Sequence, residues 1–303
     1  MGRPIIVPRI RSRGSLLVCT LLTALGACVR PPVTRGEIRL VDDAGDSVVL
    51  AAPARRIVSL IPVTTEVLFD LGAGVNLVGR TTWCDQPAEA SRVRSLGDGL
   101  EPNVEAIVSV NPDLVVLYRS PRNAAAAERL RQLGFPTIQL RTDGLTDLHR
   151  ATGLLGRATG RTAEAGWVLG VMDSLLALLD RRKDSGPRPS VLVLAWDQPP
   201  MTIGRGSFLH EILERAGARN VFDDLESPSA PVSLEAIAAR DPDLILTLDV
   251  APTIAGRPEW QVVRAVRERH FLRVHGSEFM RPTPRAPDAV RQLARVLDSL
   301  RAR

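Results

Sequence analysis

Apolar positions along the chain change their period several times, and each change marks an element. Glu37-Ile38-Arg39-Leu40-Val41 and Ser47-Val48-Val49-Leu50 alternate or cluster apolar residues around the polar Asp42-Asp43-Ala44-Gly45-Asp46. That pattern predicts a β-hairpin. Arg56-Ile57-Val58-Ser59-Leu60 reads as a short buried strand. Thr64 or Thr65 then caps a helix that carries Val67, Leu68 and Leu71 and stops at Gly72 and Gly74. Further strands are predicted at 76–78, 114–117 and 137–140, with helices at 104–110 and 124–133. Strands alternating with helices imply parallel α/β architecture.

From Leu145 to about Leu179 apolar residues recur at helical spacing, which predicts one long helix, weakened by Gly153, Gly156 and Gly160 and open to a break near Gly160. Asp184-Ser185-Gly186-Pro187-Arg188-Pro189 ends it. A second α/β unit starts at Val191-Leu192-Val193-Leu194-Ala195. It continues through helices at 208–216, 234–240 and 259–266, strands at 244–248 and 272–274, and a final helix at 287–300. Trp167 and Trp260 fall within helical patterns and read as packing residues.

The two units repeat. Val104-Glu105-Ala106-Ile107 leads to Pro112-Asp113-Leu114-Val115-Val116, and Leu234-Glu235-Ala236-Ile237 leads to Pro242-Asp243-Leu244-Ile245-Leu246. Pro follows Glu by seven positions in both. Each half thus carries a helix, a Pro-Asp turn and a buried strand. Two such lobes joined by a long helix leave a cleft, and clefts between domains are where ligands bind.

The N-terminus adds a destination. Arg3, Arg9, Arg11 and Arg13 precede an apolar stretch from Leu16 to Ala27 that is too short to span a bilayer. This is the form of a secretory signal peptide. Its end, Leu25-Gly26-Ala27-Cys28, resembles the bacterial lipobox, in which the Cys thiol is acylated and becomes the first mature residue. The following Arg30-Pro31-Pro32-Val33-Thr34 has few side chains to bury and reads as a flexible tether. The expected location is therefore outside the cytoplasm, lipid-anchored to the periplasmic or extracellular face of a membrane.

Composition mostly excludes. Four of the 39 basic residues and none of the 34 acidic ones lie in the leader, so the mature chain is close to neutral. No basic run with interleaved aromatics suggests nucleic acid. His149, His210, His270 and His275 lack metal-site spacing, and Cys84 is a single thiol without a placed His partner. No phosphate loop and no Gly-x-Ser-x-Gly elbow occur. The sequence therefore assigns no reaction, no metal and no cofactor. The alternative of another class, an exported chelatase-like α/β enzyme, would need an acid–base or metal constellation in the cleft.

From about Arg55 onward the chain resembles the substrate-binding proteins of ABC importers for iron chelates and vitamin B12. The matching residues are Arg56-Ile57-Val58-Ser59-Leu60 with Thr65-Glu66, the two Glu-containing repeats with their Pro-Asp-Leu strands, and Arg281-Pro282-Thr283-Pro284-Arg285. The resemblance implies two Rossmann-like α/β lobes bridged by a single long α-helix, with the ligand cleft between them. The expected divisions are a signal peptide (1–27), tether and hairpin (28–54), N-terminal lobe (55–144), bridging helix (145–186) and C-terminal lobe (187–303). It also implies a monomer that hands a metal–organic ligand to a permease and ATPase complex. The favoured ligand is a corrinoid such as cobalamin; a ferric siderophore or haem is the alternative.

In that family a surface Glu on each lobe docks onto permease arginines, and Glu105 and Glu235 stand at the matching positions. Taken singly, each also reads as a helix N-terminal carboxylate favourable to the helix dipole. For the ligand, loops at the C-terminal ends of parallel strands form the crevice in open α/β sheets. Trp83, Tyr118 with Arg119, and Trp196 with Met201 occupy three such ends, and aromatics make up only 4% of the chain. An aromatic at the Trp83 loop packs against the corrin in the B12-binding relatives. Trp83 and Trp196 also suit simple packing. Arg281 is a candidate for a ligand carboxylate, phosphate or chelate charge, or a surface Arg in a Pro-rich loop. Ser277, Glu278 and Phe279 adjoin it and could hydrogen-bond or cover a ligand. Gly204-Arg205-Gly206-Ser207 offers either an anion site at a helix N-terminus or a tight turn.

Overall fold

The structure is a computed structural model and describes residues 36–181, 188–248 and 253–301. The signal peptide, Cys28, the tether up to residue 35 and most of the predicted stop at 184–189 lie outside the described residues.

The hairpin forms from β1 (Ile38–Val41) and β2 (Ser47–Leu50). Asp42 closes its turn by accepting from the amides of Ala44 and Asp46, while Gly45 supplies a φ of +88°. The other Asp42 oxygen accepts from the Gln139 amide at 2.8 Å, which ties the hairpin to the N-terminal lobe.

That lobe holds a parallel sheet in the order β4-β3-β5-β6, from β3 (Ile57–Ser59), β4 (Leu77–Arg80), β5 (Leu114–Tyr118) and β6 (Thr137–Leu140). Its helices are α1 (Pro62–Asp70), α2 (Val104–Ser109) and α3 (Pro121–Gln132). Strand alternation distributes the core. Leu114 and Val116 face one buried cluster and Val115 and Leu117 another, so β5 is covered on both faces. The expected Thr cap of α1 is not formed. Ile61 holds the cap position, Pro62 begins the helix, and the Thr64 and Thr65 hydroxyls bond back to the Ile61 carbonyl and to Ser59. Proline at the first helical position needs no donor there and is pre-set for the helix.

The long helical run is two helices, α4 (Leu145–Thr159) and α5 (Thr162–Asp180). Gly160, at φ +70°, stops α4 in a left-handed C-cap. The helices then run antiparallel. Gly156 is so close to Ala165 that a Cβ would lie 2.6 Å from the alanine methyl, and His149 bonds Asp173 at 2.8 Å. The stretch leading from the hairpin into the N-terminal lobe holds the corner between them, since the Ala54 amide donates to the Ala158 carbonyl at 2.8 Å. α5 then crosses to the other lobe.

The C-terminal lobe has a sheet in the order β10-β8-β7-β11-β12, with the short β9 also on β7. Its strands are β7 (Ser190–Asp197), β8 (Pro200–Ile203), β9 (Arg219–Asn220), β10 (Ser229–Pro231), β11 (Leu244–Leu248) and β12 (Phe271–Val274). β7, β11 and β12 are parallel; β8 and β10 form an antiparallel edge that apolar periodicity did not predict. The helices are α6 (Phe208–Arg215), α7 (Leu234–Arg240), α8 (Arg264–Arg267), α9 (Ser277–Met280) and α10 (Ala286–Arg301). α5 ends in this lobe, where Asp180 pairs with Arg215 of α6. The helix expected at 259–266 is a 3-10 turn at Pro258–Val262 followed by the single turn α8. Trp260 is buried, as a packing residue should be, but Trp167 is 70% exposed.

One buried cluster runs through both lobes. It joins Ile57 and Val116 of the first sheet to Val191 and Leu246 of the second through Leu148, Met172, Leu176 and Leu293.

Candidate functional site

The sheets present their C-terminal strand ends to a crevice between the lobes. One cavity of about 470 Å³ is lined by Tyr118 and Asp143 from the first lobe and by Phe208, Leu248, Phe279 and Arg281 from the second. A neighbouring cavity of about 610 Å³ lies along the first lobe, with Trp83, Leu100, Ser120, Arg122 and Asn123 in its wall. Ile61, Pro62 and Tyr118 line both, so the two open into one crevice with mainly apolar walls. Crevices of this size and character suit organic ligands rather than bare ions.

Tyr118 sits at the centre because β5 ends there. Its hydroxyl donates to Asp143 at 2.7 Å. Burial, then that bond and the neighbouring carboxylate charge, push the phenol well above its ordinary range. It is therefore a neutral donor held in one orientation. Trp83 is 63% exposed, its ring unburied by the protein, on a loop anchored beneath by Cys84. Cys84 is a free thiol buried among Thr65 and Thr81 hydroxyls.

Other expected ligand residues lie elsewhere. Arg119 is exposed and Met201 half-buried, and neither lines these two cavities. Trp196 is also outside them; it pairs with Met201 across the β7–β8 hairpin and donates its indole N–H to the Gln198 carbonyl at 2.8 Å. The end of β7 is turned aside by this hairpin, which sequence did not reveal. Phe279 lines the interlobe cavity from a buried position. Ser277 accepts from Arg285 at 3.1 Å.

Arg281 reaches the crevice wall with its guanidinium already committed. Its Nε donates to Glu66 at 2.9 Å and an Nη to Asp85 at 2.7 Å. Arg285 donates to the other Glu66 oxygen at 2.7 Å. Glu66 belongs to α1, its side chain only 4% exposed, and both arginines belong to the opposite lobe. Arg281, expected as a candidate for a ligand charge, lines the cavity while also forming half of an ionic tie between lobes. A buried carboxylate shared by two guanidinium groups has both oxygens satisfied, as burial of charge requires. Sequence reasoning quoted Glu66 and Arg285 but missed their partnership, because 219 positions separate them. It also missed Asp143 and Asn123, ordinary loop and helix residues until folded.

The repeat is structural. α2 and α7 are capped by Asn103 and Ser233, whose side chains accept from Ala106 and Ala236. Both helices end in a left-handed residue, Asn111 at φ +45° and Asp241 at φ +40°. Asp113 then accepts from the Arg55 and Arg56 amides, and Asp243 from the Ser190 amide, each fixing the start of the neighbouring strand. Glu105 and Glu235 are consequently exposed at equivalent points of the two lobes. The Glu235 carboxyl is held below its usual range by its own backbone N–H and by Ser233. Among the described residues, no cluster of three or more His, Cys, Asp or Glu side chains is arranged to hold a metal ion.

Comparison with known proteins agrees with this architecture. The periplasmic binding protein family matches residues 57–277. An ABC transporter substrate-binding lipoprotein of Bacillus subtilis, YvrC, is 28% identical over 264 residues, covering 84% of this chain and 83% of that protein. The vitamin B12-binding protein of Vibrio cholerae is 28% identical over 251 residues, covering 81% and 90%. A crystal structure of the periplasmic vitamin B12-binding protein BtuF of Vibrio cholerae superposes with a TM-score of 0.70 at 27% identity, covering 83% of this chain and 99% of that one. With two α/β lobes, a helix crossing between them and a crevice at their strand ends, the chain belongs to the periplasmic binding protein family.

Proposed function

We propose that this protein is the receptor of an ABC importer and that its cargo is a metal–organic chelate, with a corrinoid favoured. The carrying observation is the crevice between the lobes, walled by the exposed Trp83 ring and the fixed Tyr118 hydroxyl. An unburied ring at a cavity wall offers a large flat ligand a face to stack on. The polar pair Tyr118–Asp143 gives the ligand edge acceptor oxygens, because the one phenolic proton is committed to Asp143. The resemblance to the vitamin B12-binding protein of Vibrio cholerae, in sequence and in structure, supports the corrinoid reading.

In this reading the receptor works as a monomer, held near its permease by a lipid on Cys28. Glu105 and Glu235 engage permease arginines as a matched pair of carboxylates, which fixes orientation as well as strength. The tether raises the effective concentration of receptor at the permease. Capture and release are the whole of the activity, and no reaction is assigned to the cleft.

Titration of the mature protein with cobalamin, haemin and ferric siderophores, followed by tryptophan quenching, tests the reading. Cobalamin should quench saturably, and Trp83→Ala should weaken its binding by about ten-fold, the loss of roughly one stacking contact of 1.4 kcal/mol. Saturable binding of haemin or a siderophore instead would change the cargo. Binding of none of the three would sink the proposal.

A further inference from the structure

The outer face of α5 is unlike that of a water-facing helix. Trp167, Val171, Leu175 and Leu178 are 70, 41, 41 and 53% exposed. Their spacing of four, four and three residues sets them in one ridge along the helix. The other exposed positions from Ala163 to Leu178 are Ala163, Gly166, Gly170, Asp173, Ser174 and Ala177. Asp173, bonded to His149, is the one charge among them. The opposite face is accounted for, because Ala165, Val168, Met172 and Leu176 are buried in the core that joins the lobes. An 18-residue stretch of the helix has a mean hydropathy of 1.4, and nothing in the described fold covers its outer side.

Three features identify what covers it. The first is charge. Arg157 and Arg161 are exposed at the N-terminal end of the face, Arg161 pairing with Glu164. Arg181 is exposed at the other end, and Arg182 and Lys183 follow it in sequence. Apolar ridges ending in cations match the headgroup region of an anionic bilayer.

The second is where the chain departs. Ile38 pairs with Leu50, and Pro53 lies against Gly160 at the α4–α5 corner. The described chain therefore begins, at Gly36, on the hairpin whose second strand leads to this corner, and Cys28 precedes it in sequence. Gly36 lies eight positions after Cys28, a reach of at most about 28 Å. α5 itself is about 28 Å long, so an acylated Cys28 keeps the entire ridge within tether range of the bilayer.

The third is area. One face of a helix this long and about 10 Å wide offers roughly 300 Å², against about 800 Å² per partner in a stable protein interface. A second copy stacked on this face alone would be poorly held. A bilayer contact needs less, because the lipid supplies the rest of the attachment.

We infer that the outer face of α5 lies in the headgroup region of the membrane that anchors the protein, and so fixes how the receptor sits when it is not engaged with its permease. The inference rests on the lipid-anchor reading of Cys28. Its test supplies the anchor chemically, so the two fail separately. Cys84 is buried, and Cys28 is the other thiol of the expected mature chain.

The mature protein is coupled through Cys28 to a maleimide lipid in phosphatidylglycerol vesicles, with and without brominated acyl chains. Bromine quenches tryptophan on contact. The component of emission that Trp167→Phe removes should be quenched, and the triple variant Val171→Ser, Leu175→Ser, Leu178→Ser should lose that quenching while binding cargo normally. An unquenched Trp167 component overturns the inference, as does equal quenching in the triple variant. So does a concentration-dependent dimer that the triple variant abolishes, since a second copy would then occupy the face. Release of Cys28→Ser protein from the membrane fraction of cells tests acylation independently.

Discussion

Glu66 accepts from Arg281 and Arg285 across the gap between lobes while almost wholly buried. Removing it leaves two guanidinium groups facing each other, one of them 17% exposed. Breaking a buried pair from one side costs about 3–5 kcal/mol. Asp85 retains a bond to Arg281 and Arg285 is partly in solvent, so the lower end applies. Glu66→Ala should lower unfolding stability by about 3 kcal/mol in urea titrations; a loss below about 0.5 kcal/mol would show the tie to be ornamental. Asp70, one turn further along α1, is pushed up to about 6, first by desolvation and then by the Glu66 charge, with Arg285 pulling the other way. The folded residue thus holds its proton more tightly than the unfolded one, so stability rises as pH falls through about 6 towards 3.8. Part of Asp70 reaches solvent, and screening keeps the effect small. Asp70→Asn should therefore raise the melting temperature at neutral pH and leave it unchanged below the carboxylate range. An equal gain at both would trace the effect to packing.

Among the elements, the α4–α5 corner turns on one residue. Gly160 has φ +70°, and a Cβ there would lie 3.1 Å from Pro53. Gly160→Ala should cost about 1–2 kcal/mol, the left-handed penalty for an L-residue plus the contact; no change in the denaturation midpoint would mean the corner relaxes freely. Helical periodicity ran across this corner because both helices are apolar on their inner faces, yet the glycine signal was present and marked the break. The Pro-Asp repeat was equally legible, since its Asp side chains bond to backbone nearby in the fold. Trp167 was not. An apolar helix reads the same whether its second face is packed or bare, and exposure depends on neighbours that arrive from elsewhere in the chain.

At the scale of the whole molecule, one core crosses from sheet to sheet through α4, α5 and α10. Such a core resists wide opening, because separating the lobes would expose Met172, Leu176 and Leu293 to water. Cargo capture by this receptor should accordingly involve little lobe movement. The proposed docking would use the same rigid frame. Replacing Glu105 and Glu235 together with Ala should leave cobalamin affinity unchanged and abolish uptake in cells that depend on this receptor. Normal uptake by the double variant would refute the docking assignment. Both side chains are exposed at helix starts, so the substitution should not disturb folding.

The sequence by itself determined the alternating elements, the duplicated lobes, the resemblance to chelate-binding receptors and the positions of Trp83, Tyr118, Glu105 and Glu235. All of these are written in local periodicity, turn chemistry or short repeats, which act over a few residues. Tertiary structure alone decided that Arg281 is bound to Glu66, that the β7–β8 hairpin carries Trp196 and Met201 outside the cavities, and that α5 turns a bare apolar face outward. Each is a contact, or a missing contact, between residues far apart in the chain. Charge pairing and burial depend on distance in space, and only folding sets that distance.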